Sequence, residues 1–424
     1  RSAYTVLGLS KGASDQDVKK AYVQMVKKYD PDKHTDRFMV IQDAYNKLKD
    51  TKKRAVEDLQ TYNPMPGDFL FLDEEKAEEQ DTPGEEQVAA LRDAYTKSAG
   101  DDAARDALVR ALMRRSHHWF ARKNYNECIK DWEEVQRVEP SNVRARANLT
   151  IAYGSLGLSY AHHELEDEAV ELWEKALKLN PDNTALLQNL ALACEKQGQR
   201  EKARSYWGEV IRQWEAELDK RGEDEYLREC IVEAHRRQGG ALSAARSSED
   251  KESAVHRLRE VLRHKPDDFD ARFQLANHYM DEGEHEKAQE ELEILMRTHP
   301  KNIEAMNLMG WAMLNSGRFD EAFNAWNRAL AVDPKNVGAR ENIVRTRLSL
   351  GKQYREQGMF TQALVHLKTL QRYMPNSVEV LMEIAATFDM KGDVRSARMH
   401  YEKVLAMDPK NRVARKALGD LRGR

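Results

Sequence analysis

IEAMNLMGWAMLNSGRFDEAFNAWNRALAVDPKN, Ile303 to Asn336, is the stretch on which the fold is decided. Ile303, Met306, Met309, Gly310 and Met313 recur at helical spacing and Asn315-Ser316-Gly317 breaks the run, so a helix and a tight turn are expected. Phe319, Ala322, Phe323, Trp326 and Ala329 then share one face of a second helix. Asp333-Pro334 ends it, because proline cannot continue an α-helix and restrains the residue before it. Gly310, Ala322 and Ala329 are small enough to let the two helices approach closely. Trp326 is expected to fill the space between this hairpin and its neighbour.

The pattern returns. Pro266, Pro300 and Pro334 lie 34 apart, as do Pro375 and Pro409, and the same offsets hold Ala276, Gly283 and Ala288, then Ala385, Gly392 and Ala397. These residues resemble the tetratricopeptide repeat, a 34-residue helix–turn–helix. Earlier cycles close at Pro140 and Pro181, with Trp132 and Trp173 at the large apolar offset. A third cycle has Ala191, Gly198, Ala203 and Trp207, but Glu215 replaces its proline and 51 residues separate that position from Pro266. The insertion, centred on Leu218 to Arg236, is expected to lengthen the first helix of the fourth hairpin, with a kink at Gly239-Gly240. Two intervals of 41 residues, Pro140 to Pro181 and Pro334 to Pro375, add seven, about two helical turns, so a leading helix lengthens there with little rotation of its packed face. Eight hairpins over residues 107–411 and a capping helix over 412–424, through Val413, Ala414, Ala417 and Leu418, are expected.

Composition fits a repeat array. The net charge of −4 with 33% charged residues carries no global bias toward nucleic acid or anionic membrane, and no apolar run approaches the roughly 18–20 residues that span a bilayer. Cys128, Cys194 and Cys230 are odd in number and far apart in the chain, which reads as reduced packing thiols and a cytoplasmic setting. Because the chain begins at Arg1 without methionine, a preceding segment is allowed for. Residues 1–60 hold 13 Lys/Arg against 9 Asp/Glu, whereas 61–106 hold 4 against 13: a basic head precedes an acidic connector. The connector contains an apolar Phe69-Leu70-Phe71-Leu72, expected to tuck against a neighbouring domain, and a helical run from Glu85 to Lys97 through Val88, Leu91 and Tyr95, expected to pack on the first repeat. Its charge would let it fold back over the basic head.

In the head, Ser14 is an N-cap followed by acids, launching a helix with Val18, Ala21, Tyr22, Met25 and Val26 on its buried face. A loop Asp30-Pro31-Asp32-Lys33-His34 follows, then a helix carrying Phe38, Ile41, Ala44, Tyr45 and Leu48, then a short one from Asp50. YTVLGL, KKYDPDK, RFMVIQDAYNKL and the KKR run resemble the J domain of DnaJ-type co-chaperones over residues 3–60. The expected fold is therefore all-α, a J-like domain followed by a right-handed superhelix of repeats.

What the resemblance implies turns on one residue. The J-domain family carries His-Pro-Asp between its two long helices, the triplet that stimulates the ATPase of a DnaK-class chaperone; here the triplet is Asp30-Pro31-Asp32. Imidazole can donate a hydrogen bond and be neutral or cationic, whereas a carboxylate accepts and is anionic, so the contacts are not reproduced. His34 follows the proline turn and is expected to point elsewhere. Lys19, Lys20, Lys27 and Lys28 match the family's surface for an acidic chaperone groove, against the plainer reading of a solvated helix face.

In the repeats, Asn277, Met280, Asn307, Trp311, Arg345, Lys352, Met382 and Asp389 are expected on the face lined by the first helix of each hairpin, where such arrays hold proteins or peptides. Core packing is the competing reading for Met280 and Met382. The carboxylate clamp of some tetratricopeptide proteins is not expected, because Asn277 fits one offset but Leu308 stands where the next repeat needs Asn. His117-His118 and His162-His163 point about 100° apart on helices and read as surface histidines, so no metal and no cofactor are expected. With no phosphate-cradling loop or marked nucleophile, the chain reads as a non-enzymatic protein-binding scaffold. The alternatives are a working co-chaperone delivering clients to a DnaK-class partner and the targeting subunit of an enzyme. No nucleic-acid role is expected, since the basic head lacks interleaved aromatics.

Overall fold

A computed structural model describes residues 2–9, 11, 13–29, 34–65, 82–98, 101–239 and 247–421, and among these there is no strand. The head comprises α1 (Ala3–Leu7), α2 (Asp15–Lys28), α3 (Thr35–Lys49) and α4 (Thr51–Leu59). Ser14 caps α2 in a reciprocal box with Asp17, and Tyr4, Leu7, Val18, Ile41 and Leu48 form the head's core.

Among the described residues eight helical hairpins follow α5 (Glu85–Lys97). Four lie in a first compact unit ending at Pro266: α6–α7 (Asp102–Ala121, Tyr125–Val138), α8–α9 (Val143–His162, Glu166–Leu179), α10–α11 (Thr184–Lys196, Arg200–Arg221) and α12–α13 (Glu225–Gly239, Ser248–His264). The second unit holds α14–α15 (Phe269–Asp281, His285–Thr298), α16–α17 (Ile303–Asn315, Phe319–Val332), α18–α19 (Val337–Glu356, Phe360–Tyr373), α20–α21 (Val378–Lys391, Val394–Met407) and the closing α22 (Arg412–Leu421). The capping helix expected through Val413, Ala414, Ala417 and Leu418 is α22, on which Ala414 and Leu421 are buried and Val413 is 66% exposed.

Three hairpins close over the same contact. The side chain 16 positions after a small residue of the first helix lies on that residue's backbone: Trp326 on Gly310, Trp173 on Gly157, Leu367 on Gly351. A Cβ at Gly157 would sit 2.6 Å from the Trp173 indole, and one at Gly351 2.7 Å from Leu367. Trp326 therefore fills its own hairpin rather than the gap to a neighbour, and its Nε1 donates to the Asn307 carbonyl at 3.1 Å. The indole needs a hydrogen-bond acceptor once buried, and the α16 backbone supplies it.

The junctions have their own rule, absent from the sequence reading. Two residues after each closing proline stands the cap of the next helix: Asn142 accepts from Ala145 N at 2.8 Å, Asn302 from Ala305 N at 2.7 Å and Asn336 from Ala339 N at 2.8 Å. Proline stops one helix and the side-chain amide satisfies an orphan donor of the next. Where Glu215 replaces the proline nothing stops the helix, so α11 runs on to Arg221. The insertion thus lengthens the second helix of the third hairpin, not the first helix of the fourth as the sequence led us to expect. Gly222, at φ +80, ends α11, and Asp224, again two residues on, accepts from Leu227 N at 2.9 Å. Of the expected kink, Gly239 ends α12 and Gly240 lies outside the described residues.

Gly310→Ala should lower stability by about 1–3 kcal/mol, since the methyl must displace a fixed indole. Gly419→Ala, where nothing lies within 4 Å, should raise it by about 0.5–1 kcal/mol. Urea unfolding followed by circular dichroism checks both signs.

Candidate protein-docking site

The head is not tethered loosely; its last helix is built into the repeats of the first unit. Ala55 and Leu59 of α4 are buried in one core with Leu187 and Ala191 of α10 and Leu227 and Ile231 of α12. Asp58, 4% exposed, organises the polar part of this seam. Its backbone carbonyl accepts from Lys11 Nζ and, at 3.0 Å, from Gln188 Nε2; its Oδ2 accepts from the Tyr226 hydroxyl. Arg54 reaches Asp58 at 4.0 Å and Asp15 at 2.5 Å, and its guanidinium stands 5.8 Å from the Tyr226 ring centre. Burial draws the Lys11 ammonium down to about 8 and pushes the Tyr226 hydroxyl well up.

The chain after α4 continues along the same face. Asn63 N donates to Asn189 Oδ1 at 2.6 Å while Asn189 Nδ2 donates back to Asn63 O at 3.0 Å, a backbone reading by a side-chain amide. Tyr62 packs 5.1 Å from Trp173 with Lys196 Nζ 4.2 Å above its ring, and Met65 occupies the space a Cβ would take at Gly154. The first helices of the second and third hairpins therefore already hold the chain's own residues 62–65, beside α4, which packs on the third and fourth.

Lys19, Lys20, Lys27 and Lys28 of α2 are all exposed, and among the described residues no carboxylate pairs with them. Asp30, Pro31 and Asp32 lie outside the described residues, as does the Phe69–Leu72 run. His34 precedes α3 with its ring edge-on to Tyr29, 5.8 Å between centres. The connector's described acids do not cover the head: Glu85 of α5 pairs with Arg115 of α6, which also forks onto Asp131 at 3.0 and 2.6 Å. Val88 is fully buried, so α5 packs on the first hairpin as expected.

In the second unit the eight expected partner residues divide. Arg345 is exposed. Met280, Trp311 and Met382 are half-buried against the hairpin cores, Trp311 edge-on to Trp326 at 5.5 Å. Asn277 Nδ2 donates to Phe273 O of its own helix at 2.9 Å, and Lys352 pairs with Glu379 at 3.1 Å and Glu383 at 3.7 Å. Asn307 and Asp389 are half-buried. Arg345 opens onto a groove of about 810 Å³ with Val344, Leu348, Arg340, Arg372 and Tyr373 on its walls. Three guanidiniums face one carboxylate there, Glu341.

All three cysteines are buried and free, with the Cys128 thiol pushed up to about 12 by burial. His163 Nδ1 donates to the Ser159 carbonyl at 2.7 Å and His118 Nδ1 bonds Thr82 Oγ1 at 3.0 Å, so one member of each histidine doublet is hydrogen-bonded. One group the sequence reading missed is Glu215, His235, Glu260 and His264, drawn together from three helices. No helix among the described residues is long and apolar enough to cross a membrane.

Comparison with known proteins agrees with this architecture. The DnaJ domain profile matches residues 2–58, and tetratricopeptide repeat profiles match 172–205, 245–312 and 303–336. The chain is a DnaJ domain fused to tetratricopeptide repeats. The J domain is 48% identical over 63 residues to the chaperone protein DnaJ of Bacillus cereus strain B4264 and of Bacillus anthracis strain CDC 684 / NRRL 3495, a match spanning 14% of this chain and 17% of theirs. Among solved structures, MamA is 25% identical (TM-score 0.32, covering 44% of this chain and 92% of that one). The P58(IPK) TPR domain is 15% identical (TM-score 0.28, covering 74% and 97%).

Tyr226→Phe would leave the buried Asp58 carboxylate short of a donor, at a cost of about 1–3 kcal/mol to the seam. Hydrogen exchange should quicken in the α4 amides while those of α16 and α17 keep their rates.

Proposed function

We propose that this chain is a non-catalytic assembly scaffold: the repeats hold a protein or peptide, and the J domain is a docking module that does not stimulate a DnaK-class ATPase. The observation that carries the reading is Asp30 in the first position of the triplet. The resemblance to the J-domain family implies a histidine there, and an anionic acceptor does not reproduce its contacts. The exposed lysines of α2 support docking to an acidic chaperone surface, and the buried seam at α4 supports a fixed head. The free buried thiols suit a reducing, cytoplasm-like compartment.

The partner face we favour is the groove beside Arg345. Its apolar walls and its excess of guanidinium suit a peptide of mixed apolar and acidic side chains, and among the described residues Arg345 and Arg372 have no carboxylate partner. The competing reading, a working co-chaperone, draws on the likeness of the J domain to bacterial DnaJ and on the same lysine face.

Single-turnover ATP hydrolysis by a DnaK-class chaperone separates the two. The full chain should leave the rate unchanged where an authentic DnaJ raises it, and Asp30→His should create stimulation that Lys19→Glu or Lys27→Glu then removes. Stimulation by the unaltered chain at the level of DnaJ would sink the scaffold reading. For the groove, a fluorescent peptide of alternating leucine and glutamate should bind with an affinity that falls about tenfold in Arg345→Glu, about 1.4 kcal/mol, and falls with added salt.

A further inference from the structure

The break in the repeat makes a site that, among the described residues, no other cycle has. Because α11 continues past the position where other cycles have proline, Glu215 stays helical and faces α12 and α13. Glu260 and His264 stand four apart on α13 and share one face, and His235 comes from α12. One ligand atom from each of the four lies within 4.8 Å of the others. A tetrahedral ion with bonds of about 2.0–2.2 Å to nitrogen and oxygen needs donors about 3.3–3.6 Å apart, so modest side-chain rotations close the set.

His235 gives the independent reason to look for a ligand. It is 6% exposed, and among the described residues neither ring nitrogen has a hydrogen-bond partner. A buried imidazole with two unmet polar atoms carries a desolvation cost that the fold normally avoids. The His235 ring stands 6.1 Å from that of His264, at 30°.

Charge tells the same story. Glu215 accepts from His264 Nε2 at 3.1 Å and is closed upon by Arg263, whose Nε also lies 3.2 Å from Glu260. The Arg263 side chain is 59% exposed, so the guanidinium bridging the two carboxylates can swing into water. A dication replacing it would balance the two carboxylates and give His235 its missing partner. Arg257, the other guanidinium facing His235, is buried and stays.

We propose that Glu215, His235, Glu260 and His264 form a structural site for a divalent transition-metal ion, with Zn²⁺ the fitting species. Two imidazoles and two carboxylates suit zinc and its neighbours, whereas calcium and magnesium prefer oxygen alone. Four protein ligands fill a tetrahedron and leave no position for a reacting water, so the ion would pin α11, α12 and α13 together where the repeat spacing lapses.

The test is isothermal titration of ZnCl₂ into the EDTA-stripped, dialysed full chain, with Co²⁺ absorption to report tetrahedral geometry. One equivalent should bind and raise the melting temperature. His264→Gln and His235→Ala should each weaken binding by more than about 100-fold, beyond the 10–100-fold typical of losing only an outer-sphere partner. Arg263→Gln, an exposed change that leaves the four ligands intact, should tighten it several-fold, which keeps the idea testable if His235→Ala unfolds. No saturable binding by the unaltered chain, or one-equivalent binding that survives His264→Gln undiminished, would overturn the assignment.

Discussion

The fold depends on how closely two helices of a hairpin can approach. At Gly310, Gly157 and Gly351 the first helix offers bare backbone, and a large apolar side chain from the second helix lies directly on it. That contact sets the interhelical spacing, buries the indole or leucine completely and leaves room for nothing larger. The prolines and caps are subordinate to it: they end one helix and start the next where the pairs fall in register.

This is why most of the fold was legible and parts were not. Sequence period, closing prolines and breaker residues locate eight hairpins because each is a local statement about 34 residues. Spacing identifies a buried face but not which of two surfaces lies over it, so Trp326, expected between hairpins, lies on Gly310 of its own. The insertion after Glu215 was misplaced for a related reason: a charged run is compatible with helix anywhere, and only the left-handed backbone at Gly222, followed by the Asp224 cap, fixes where one helix stops. At the other junctions a capping residue, Asn, Asp268 or Ser377, stands two after the proline, and that pattern points to Gly222-x-Asp224.

The docked head lay beyond any periodic signal. Asn63 meets Asn189 across 126 residues and Asp58 meets Tyr226 across 168, and neither pair belongs to a repeat. Buried polar side chains at Gln188 and Asn189, on a helix otherwise apolar, were the available hint: the first unit's inner face was made to read a backbone. The four-residue cluster around His235 was hidden likewise, with only the Glu260–His264 spacing visible in advance. The candidate partner groove was legible at Arg345 alone, because half-burial of Met280, Trp311 and Met382 depends on packing that residue type does not reveal.

The seam at α4 bears on what a truncated chain would be. Leu187, Ala191, Leu227 and Ile231 share their buried core with Ala55 and Leu59 of α4. Stripped of α4 and the segment through Met65, the repeats would present an oily strip to water, together with Gln188 and Asn189 amides that have lost their partners at Asp58 and Asn63. Such a fragment would be adhesive, and what it collected would describe the wound and not the intact molecule.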